Sequence, residues 1–213
     1  MNVLEIVLAA VPVIFAITVH EVSHGWVAKQ LGDDTAERQG RLTLNPIKHI
    51  DPIGTLLIPG LLIFLRTGFL FGWARPVPVD WRRLRHPRRD MALVAAAGPC
   101  ANLLMLVLWG LLYALSGSVR GSPGAALNYM GEAGIIVNTV LMVLNLFPIP
   151  PLDGSRVVTA LLPRDLAILY NRLEPFGLII ILLLLASGAL NPLIMGPSDF
   201  ALDLFRSLSA GRA

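Results

Sequence analysis

The sequence predicts an all-α polytopic membrane protein with about four transmembrane helices, a re-entrant or interfacial segment and a small membrane-associated β-sheet. The first reason is composition: of 213 residues, 55% are hydrophobic and 15% are charged, whereas a soluble domain carries roughly 25% charged residues. The second reason is that apolar residues are grouped in five stretches: Val3–Val19, Ile53–Phe71, Met91–Leu115, Ile135–Leu146 and Leu166–Leu190. The length permits a single compact domain.

Four of these stretches are expected to cross the bilayer. A helix needs about 20 residues to span a hydrocarbon core of about 30 Å, and the first, third and fifth stretches meet this length. The fourth does so if it extends from about residue 131 to 147. We therefore expect a core at 1–160, with spans near 3–30, 91–116 and 131–148 and a re-entrant or β region at 37–80. Residues 161–213 would add a transmembrane helix and an amphipathic C-terminal tail, at 199–209.

The second stretch, Ile53–Phe71, is expected to enter the membrane and return, or to lie at its surface. It contains residues that suit a lipid-facing helix poorly: Gly54, Pro59, Gly60, Arg66 and Gly68. Basic loops also flank it, at 29–51 and 72–90. A crossing would place these two loops on opposite sides of the membrane, against the positive-inside rule.

Two short extended segments predict the small sheet. Residues 41–44 alternate between polar and apolar side chains, as a half-buried strand does. Val77-Pro78-Val79 also favours an extended backbone, and its proline fits only an edge strand. We expect this sheet near the cytoplasmic face of the membrane.

The distribution of positive charge predicts the orientation. Six arginines between residues 75 and 89 fit the cytoplasmic side, where they would contact anionic lipid. Nucleic-acid binding does not fit so short a cluster beside a membrane. The N-terminus would then lie outside. The end of the first span and the turn at 148–154 would both lie in the cytoplasm, so they can meet.

The segment His20–His24 has the pattern H-E-x-x-H at the end of the first apolar stretch. Histidines four residues apart share one face of a helix, where both imidazoles can bind one metal ion. The glutamate between them can act as a general base, and a glutamate buried in a membrane is usually functional. The extended metzincin pattern is excluded, because Val27 and Gln30 stand where it requires Gly and His.

A catalytic zinc site usually has three protein ligands, so a third one is needed. Weaker candidates occupy polar or basic loops: Asp33, Asp34, Glu37, His49 and Asp51. Asp153 is stronger because it follows a proline-rich turn in apolar surroundings, where a carboxylate is unfavourable unless it pairs with a cation. Its position before Ser155 fits a helix cap equally well, and both roles stay open here. The sole cysteine, Cys100, excludes a cysteine-based zinc site and an intrachain disulfide.

These residues resemble those of the site-2 proteases, a family of intramembrane zinc metalloproteases. The likeness is carried by His20–His24, Gly98–Asn102, Asn145–Pro148 and Leu152–Gly154, which occur in the family's order. It covers roughly residues 1–160 and is specific. It is strongest with the short bacterial and archaeal members that lack a PDZ domain.

The resemblance implies the chemistry of each site residue. By it, His20, His24 and Asp153 would bind Zn²⁺. Glu21 would be the general base that activates water. On the local sequence alone, Ser23 would be a spacer.

The resemblance also implies how the substrate is held. Asn102 and Asn145 look like the family's polar residues that support the substrate backbone or the oxyanion. Their alternative role is hydrogen bonding between helices. An edge strand at 41–45 or 77–80 would pair with an unwound substrate segment.

The function implied by the resemblance is hydrolysis of peptide bonds within or near transmembrane segments, as in regulated intramembrane proteolysis. The expected partners are a transmembrane protein substrate and the lipid bilayer, with no nucleic acid. The expected location is the inner membrane of a prokaryotic cell, with the active site toward the cytoplasm. A metal transporter is one alternative, although neither an inverted repeat nor a polar path is visible. An inactive scaffold is another, against which the intact Glu21 argues.

Overall fold

A computed structural model describes residues 3–65 and 72–210 of the chain. Over these residues the backbone is helical or irregular. The helices are α1 (Val3–Gln30), α2 (Thr35–Arg38), a 3₁₀ turn (Pro46–His49), a π-helical turn (Pro52–Leu57), α3 (Ile58–Phe64), α4 (Pro87–Ser116), α5 (Ser122–Leu146), α6 (Asp153–Leu161), α7 (Arg164–Asn171), α8 (Glu174–Ala186) and α9 (Asn191–Ala210).

Among the described residues, α1, α4 and α5 are the helices long and apolar enough to cross a membrane unaided. They contain 28, 30 and 25 residues, and at about 1.5 Å per residue each exceeds the hydrocarbon core. The three pack against one another. Small residues allow close approach: Gly131 lies against Tyr113 and Gly134 against Trp109, with no space for a Cβ atom at either glycine. These three helices form the bundle that holds the candidate site.

The predicted small β-sheet is wrong for the part of the chain that is described, since no strand pairing occurs in it. Residues 72–80 form no regular secondary structure, and Pro76 and Pro78 have no N–H to donate to a ladder. The N–H of Val77, which lies between them, donates to the side chain of Glu21 at 2.8 Å. The segment is therefore held by this bond and by isolated backbone bonds to the region at 49–54, and not by a strand ladder.

The second apolar stretch begins and ends at the same place. The Trp73 N–H donates to the Gly54 carbonyl at 3.1 Å, and the Thr55 hydroxyl donates to the Trp73 carbonyl at 2.8 Å. A segment whose two ends are hydrogen-bonded together cannot cross the membrane once. This geometry agrees with a re-entrant or interfacial segment. Arg66 and Gly68, which counted against a lipid-facing helix, lie outside the described residues.

Apolar side chains are exposed along this segment. Those at least 47% exposed are Ile53, Leu57, Leu61, Ile63, Phe64 and Leu65. Exposure on this scale is expected where lipid covers the surface and is unusual where water does. The segment therefore suits contact with the bilayer.

The fifth apolar stretch forms two helices where the sequence predicted a single span. α7 and α8 meet at an angle of 60°, and they are long and apolar enough to cross a membrane only when taken together. Pro175, at the start of α8, explains the break: it has no N–H for the carbonyl of Asn171, and its ring would clash with that carbonyl in a continuous helix. α7 accordingly ends at Asn171.

The C-terminal helix α9 is longer than the predicted tail at 199–209, and its apolar face packs against α4 and α5. The Phe205 ring lies directly against Gly110, where a Cβ atom would overlap it. The cluster buried by this contact comprises Leu106, Tyr113, Ile135, Ala201, Leu202 and Phe205. The amphipathic tail thus covers protein at the end of the bundle away from residue 153.

Candidate metal centre

Three side chains from two parts of the chain converge at one end of the bundle. The Nε2 atoms of His20 and His24 lie 3.1 Å apart, and each lies 3.3 Å from Oδ2 of Asp153. Tetrahedral ligands at zinc bond lengths of about 2.0–2.1 Å lie about 3.3 Å from one another. The three atoms therefore match the spacing that one zinc ion requires.

The position of Asp153 follows from the turn before it. α5 ends at Leu146, and the proline-rich turn brings the chain back to begin α6 at Asp153. Leu152 is the capping residue, and no side-chain bond caps this helix. Oδ2 of Asp153 is buried without a hydrogen-bond partner, which is unfavourable unless a cation is nearby. Of the two roles that the sequence left open, this geometry fits a ligand and not a cap.

Both histidines are oriented by bonds on the far side of the ring. Nδ1 of His24 lies 2.7 Å from the Val94 carbonyl oxygen. A carbonyl can only accept, so Nδ1 carries the proton and Nε2 presents its lone pair to the metal position. Nδ1 of His20 lies 2.6 Å from Oδ1 of Asn102, which fixes that ring in the same way. Contacts of this kind are typical of metal-binding histidines.

Gly98 on α4 leaves room for the two rings. A Cβ atom at this position would overlap Nε2 of His24 and lie 2.5 Å from Cε1 of His20. Real Cβ atoms do not approach other atoms that closely. A glycine is therefore required at position 98 for steric reasons. Without a side chain there, α4 can pass directly behind the two imidazoles.

Glu21 lies beside the same position, on the cavity wall, and is held by the irregular segment at 72–80. Its Oε2 accepts the Val77 N–H at 2.8 Å. One turn further along α1, Gly25 leaves space for the side chains of Leu42 and Val77, which would meet a Cβ atom at 2.7 and 2.8 Å. Close packing at Gly25 thus keeps the Val77 amide against Glu21.

The metal position opens into a cavity of about 440 Å³. Besides the ligands and Glu21, its walls include Val77, Trp81, Ala95, Asn145, Arg156 and Glu174. Arg156 and Glu174 form an ion pair that joins α6 to α8. The cavity is large enough for part of an extended peptide and has both apolar and polar walls.

The two predicted asparagines occupy different surroundings. Asn145 lines the cavity and donates its amide to the Leu141 carbonyl at 3.0 Å, so it could reach a substrate. Asn102 is 0% exposed and bonds His20. It therefore contacts a metal ligand and makes the bond between helices that was its alternative role.

The weaker ligand candidates do not join the site. Asp33 is buried and accepts the Asp80 N–H at 2.7 Å. Asp51 caps the π-helical turn by accepting the Ile53 and Gly54 N–H groups. His49 bonds the Thr43 carbonyl at 2.9 Å. Each of these groups stabilises a connection between helices.

The charge state of Asp153 suits metal binding. Burial alone would raise the pKa of its carboxyl, but the two adjacent imidazoles, when protonated, outweigh burial and lower the pKa to about 2, and a metal cation in their place would act in the same direction. The carboxylate is therefore ionised at neutral pH, which is the form that a metal ion requires.

Comparison with known proteins gives the family. Over 206 residues the chain is 39% identical to "Putative zinc metalloprotease YwhC" of Bacillus subtilis, which covers 93% of this chain and 90% of the relative. The chain belongs to the site-2 protease family. As a site-2 protease it is a membrane protein and a metalloprotease, and zinc is the cofactor that fits His20, His24 and Asp153.

Other site-2 protease relatives are mycobacterial. The chain is 32% identical over 181 residues to "Putative zinc metalloprotease Rip2" of Mycolicibacterium smegmatis, with 84% of this chain and 66% of the relative covered. It is 31% identical over 190 residues to the protein of the same name in Mycobacterium tuberculosis, with 89% and 70% covered. No protein-family model matches the chain, and no solved structure matches it.

Sequence reasoning missed three features of this site-2 protease: the amide of Val77 on Glu21, the pair of Arg156 with Glu174, and Asn138. Asn138 is fully buried in α5 and accepts the side-chain amide of Asn102 at 3.0 Å. A signal for Asn138 existed, because a polar residue inside an apolar span usually has a specific partner. The other two features depend on contacts that no local pattern reveals.

Proposed function

We propose that this chain is an intramembrane protease that hydrolyses peptide bonds within or near transmembrane segments of membrane proteins, in regulated intramembrane proteolysis. The observation that carries the proposal is the convergence of His20, His24 and Asp153 beside Glu21, within a bundle of apolar helices. Zinc, when bound by these three side chains, supplies the Lewis acid that activates water and the scissile carbonyl.

Glu21 is the general base in this proposal. One carboxylate oxygen, Oε2, is held by the Val77 N–H, so the other oxygen takes the proton from the attacking water. The glutamate then returns the proton to the leaving amine. Because the side chain is fixed at one oxygen, little reorganisation is needed at the moment of transfer.

The substrate must unwind before it is cut, because the amides of a transmembrane helix are bonded within the helix. The cavity beside the metal position has room for an extended segment. Asn145, on its wall, supports the substrate backbone or the oxyanion by donating its amide. Helix-breaking residues near the scissile bond are therefore the expected preference.

The proposed orientation places the site toward the cytoplasm, in the inner membrane of a prokaryotic cell. Arg82 and Arg85 are exposed just before α4 begins, and Arg89 is exposed in its first turn, at the same end of the bundle as Val94 and the two histidines. Basic residues at one membrane face favour the cytoplasmic side. The partners are then a transmembrane protein substrate and the bilayer.

The experiment is cleavage of a transmembrane reporter by purified protein in lipid vesicles. Glu21→Gln should lower kcat by at least about a hundredfold, the range of general-base catalysis, while the zinc content stays at the wild-type level. Glu37→Gln is the matched control, because Glu37 is a surface residue paired with Lys29, and it should cleave normally. Equal cleavage by wild type and Glu21→Gln would contradict the proposal, as would wild-type zinc content in Asp153→Ala.

A further inference from the structure

A chain of buried amides leads from α5 to the first histidine. Asn138 and Asn102 are both 0% exposed. The Asn138 Nδ2 lies 2.9 Å from the Gly134 carbonyl oxygen, its Oδ1 lies 3.0 Å from Nδ2 of Asn102, and Oδ1 of Asn102 lies 2.6 Å from Nδ1 of His20. Three helices are thus joined through side chains that water does not reach.

The direction of these hydrogen bonds is determined by backbone carbonyls, which can only accept. The Gly134 carbonyl requires the NH₂ group of Asn138, so the oxygen of that amide must face Asn102. Asn102 must then donate through its own NH₂ group, which also lies 3.4 Å from the Ala16 carbonyl oxygen. Its oxygen is left facing His20.

These bond directions determine which ring nitrogen of His20 can bind a metal. Because His20 meets an oxygen, its Nδ1 must carry the proton, and Nε2 is left with the lone pair that a metal binds. If the amide of Asn102 were reversed, its NH₂ group would face Nδ1. The proton would then belong on Nε2, where it prevents coordination.

We propose that Asn138 is a positioning residue that fixes the tautomer and orientation of His20 by holding the amide of Asn102 in one direction. The inference rests on the proposed function, since it takes His20 as a zinc ligand. Asn138 touches neither the metal position nor the cavity, and it acts through Asn102.

Its neighbour Thr139 provides the contrast. Thr139 is also buried, but its hydroxyl donates to the Ile135 carbonyl of its own helix at 2.8 Å. It has no bond toward the metal position. Two adjacent buried polar residues of α5 therefore differ in whether they connect to His20, which gives a matched control.

The test measures zinc affinity of the full chain in detergent, by competition with a chromophoric chelator after metal removal. Asn138→Leu preserves the size of the side chain but releases the amide of Asn102. It should weaken zinc binding by about 10–100-fold, as loss of an outer partner of a metal ligand does. Thr139→Val should stay within about threefold of wild type, because Thr139 has only a local bond.

A conservative replacement tests the direction of the bonds. In Asn138→Asp, a protonated carboxyl can donate to Gly134 and accept from Asn102, so affinity should recover to within about tenfold of wild type. The visible spectrum of Co²⁺ at the site should be altered in Asn138→Leu and restored in Asn138→Asp. If Asn138→Leu does not fold, Asn138→Ser is used for the same measurement, since its hydroxyl can bond Gly134 but is too short for Asn102.

Wild-type affinity and Co²⁺ spectrum in folded Asn138→Leu or Asn138→Ser would overturn the inference. Equal losses in Asn138→Leu and Thr139→Val would also overturn it, because they would indicate a general packing effect. Asp153→Ala separates this failure from failure of the proposed function. If Asp153→Ala binds zinc as tightly as wild type, the site assignment is wrong. If Asp153→Ala loses zinc binding but folded Asn138→Leu or Asn138→Ser does not, only the inference about Asn138 is refuted.

Discussion

At the scale of single residues, each metal-binding imidazole presents Nε2 because its other ring nitrogen is already bonded. His24 bonds the Val94 carbonyl and His20 bonds Asn102. Asp153 completes the triangle with an oxygen that has no other partner. The three ligand side chains and the hydrogen bonds that orient the two imidazoles together define the site. Gly98 provides the space in which both rings fit.

Gly98→Ala is expected to weaken zinc binding at least about tenfold. The new Cβ atom would overlap the His24 ring and displace both imidazoles from the spacing that zinc requires. Chelator competition on the purified protein measures the change. Gly117→Ala is the matched control, since a Cβ atom at Gly117 meets nothing within 4 Å. An unchanged affinity in Gly98→Ala would show that the rings tolerate the displacement.

The sequence was sufficient to name the three candidate ligands that the structure brings together, but not the atoms that hold them. His20 and His24 are recognisable because helical spacing alone places them together, and Asp153 because its surroundings disfavour a lone carboxylate. Asn102 was found by motif, with a substrate role and a bond between helices both left open, since its burial depends on how α4 packs. Asn138 was missed because its importance lies in a bond to another helix.

At the scale of elements, proline contributes to two departures from the expected architecture. Pro76 and Pro78 deprive the segment at 72–80 of the donors that a strand needs. Pro175 divides the fifth apolar stretch into α7 and α8. Hydrophobicity predicted which stretches form long apolar helices, but it does not report which backbone donors are present or where a helix must bend.

Val77→Pro is expected to lower kcat for reporter cleavage by about tenfold or more while leaving zinc content unchanged. The substitution removes the N–H that holds Oε2 of Glu21, so the base loses its orientation but the metal ligands do not. Parallel kinetics and metal analysis of the purified variant measure the two effects. Val77→Ala retains the N–H and should keep most of the activity. If both variants are equally impaired, the side chain matters and the hydrogen bond does not.

At the scale of the whole molecule, the site lies at the end of the bundle where α1 finishes, α4 begins and α5 finishes. α9 covers the opposite end, with Phe205 against Gly110. Near the start of the apolar segment at 53–65, the Gly54 carbonyl accepts the Trp73 N–H. The metal position and the cavity thus lie at the end of the bundle that α9 does not cover.

The orientation is testable by labelling single cysteines in a Cys100→Ala background. Arg82→Cys lies on an exposed loop at the site end, and Ser118→Cys lies on an exposed turn at the other end. A membrane-impermeant maleimide added to intact bacterial cells without an outer-membrane barrier should label Ser118→Cys but not Arg82→Cys, which should react only after permeabilisation. The reverse pattern would place the site outside the cell.

The tight fit of α4 behind the two histidines has a consequence for inhibitor design. Because Gly98 brings helix backbone against the imidazoles, a drug-like chelator has no access from that direction. Its zinc-binding head group would have to reach the metal position from the cavity, whose walls include Trp81 and Asn145.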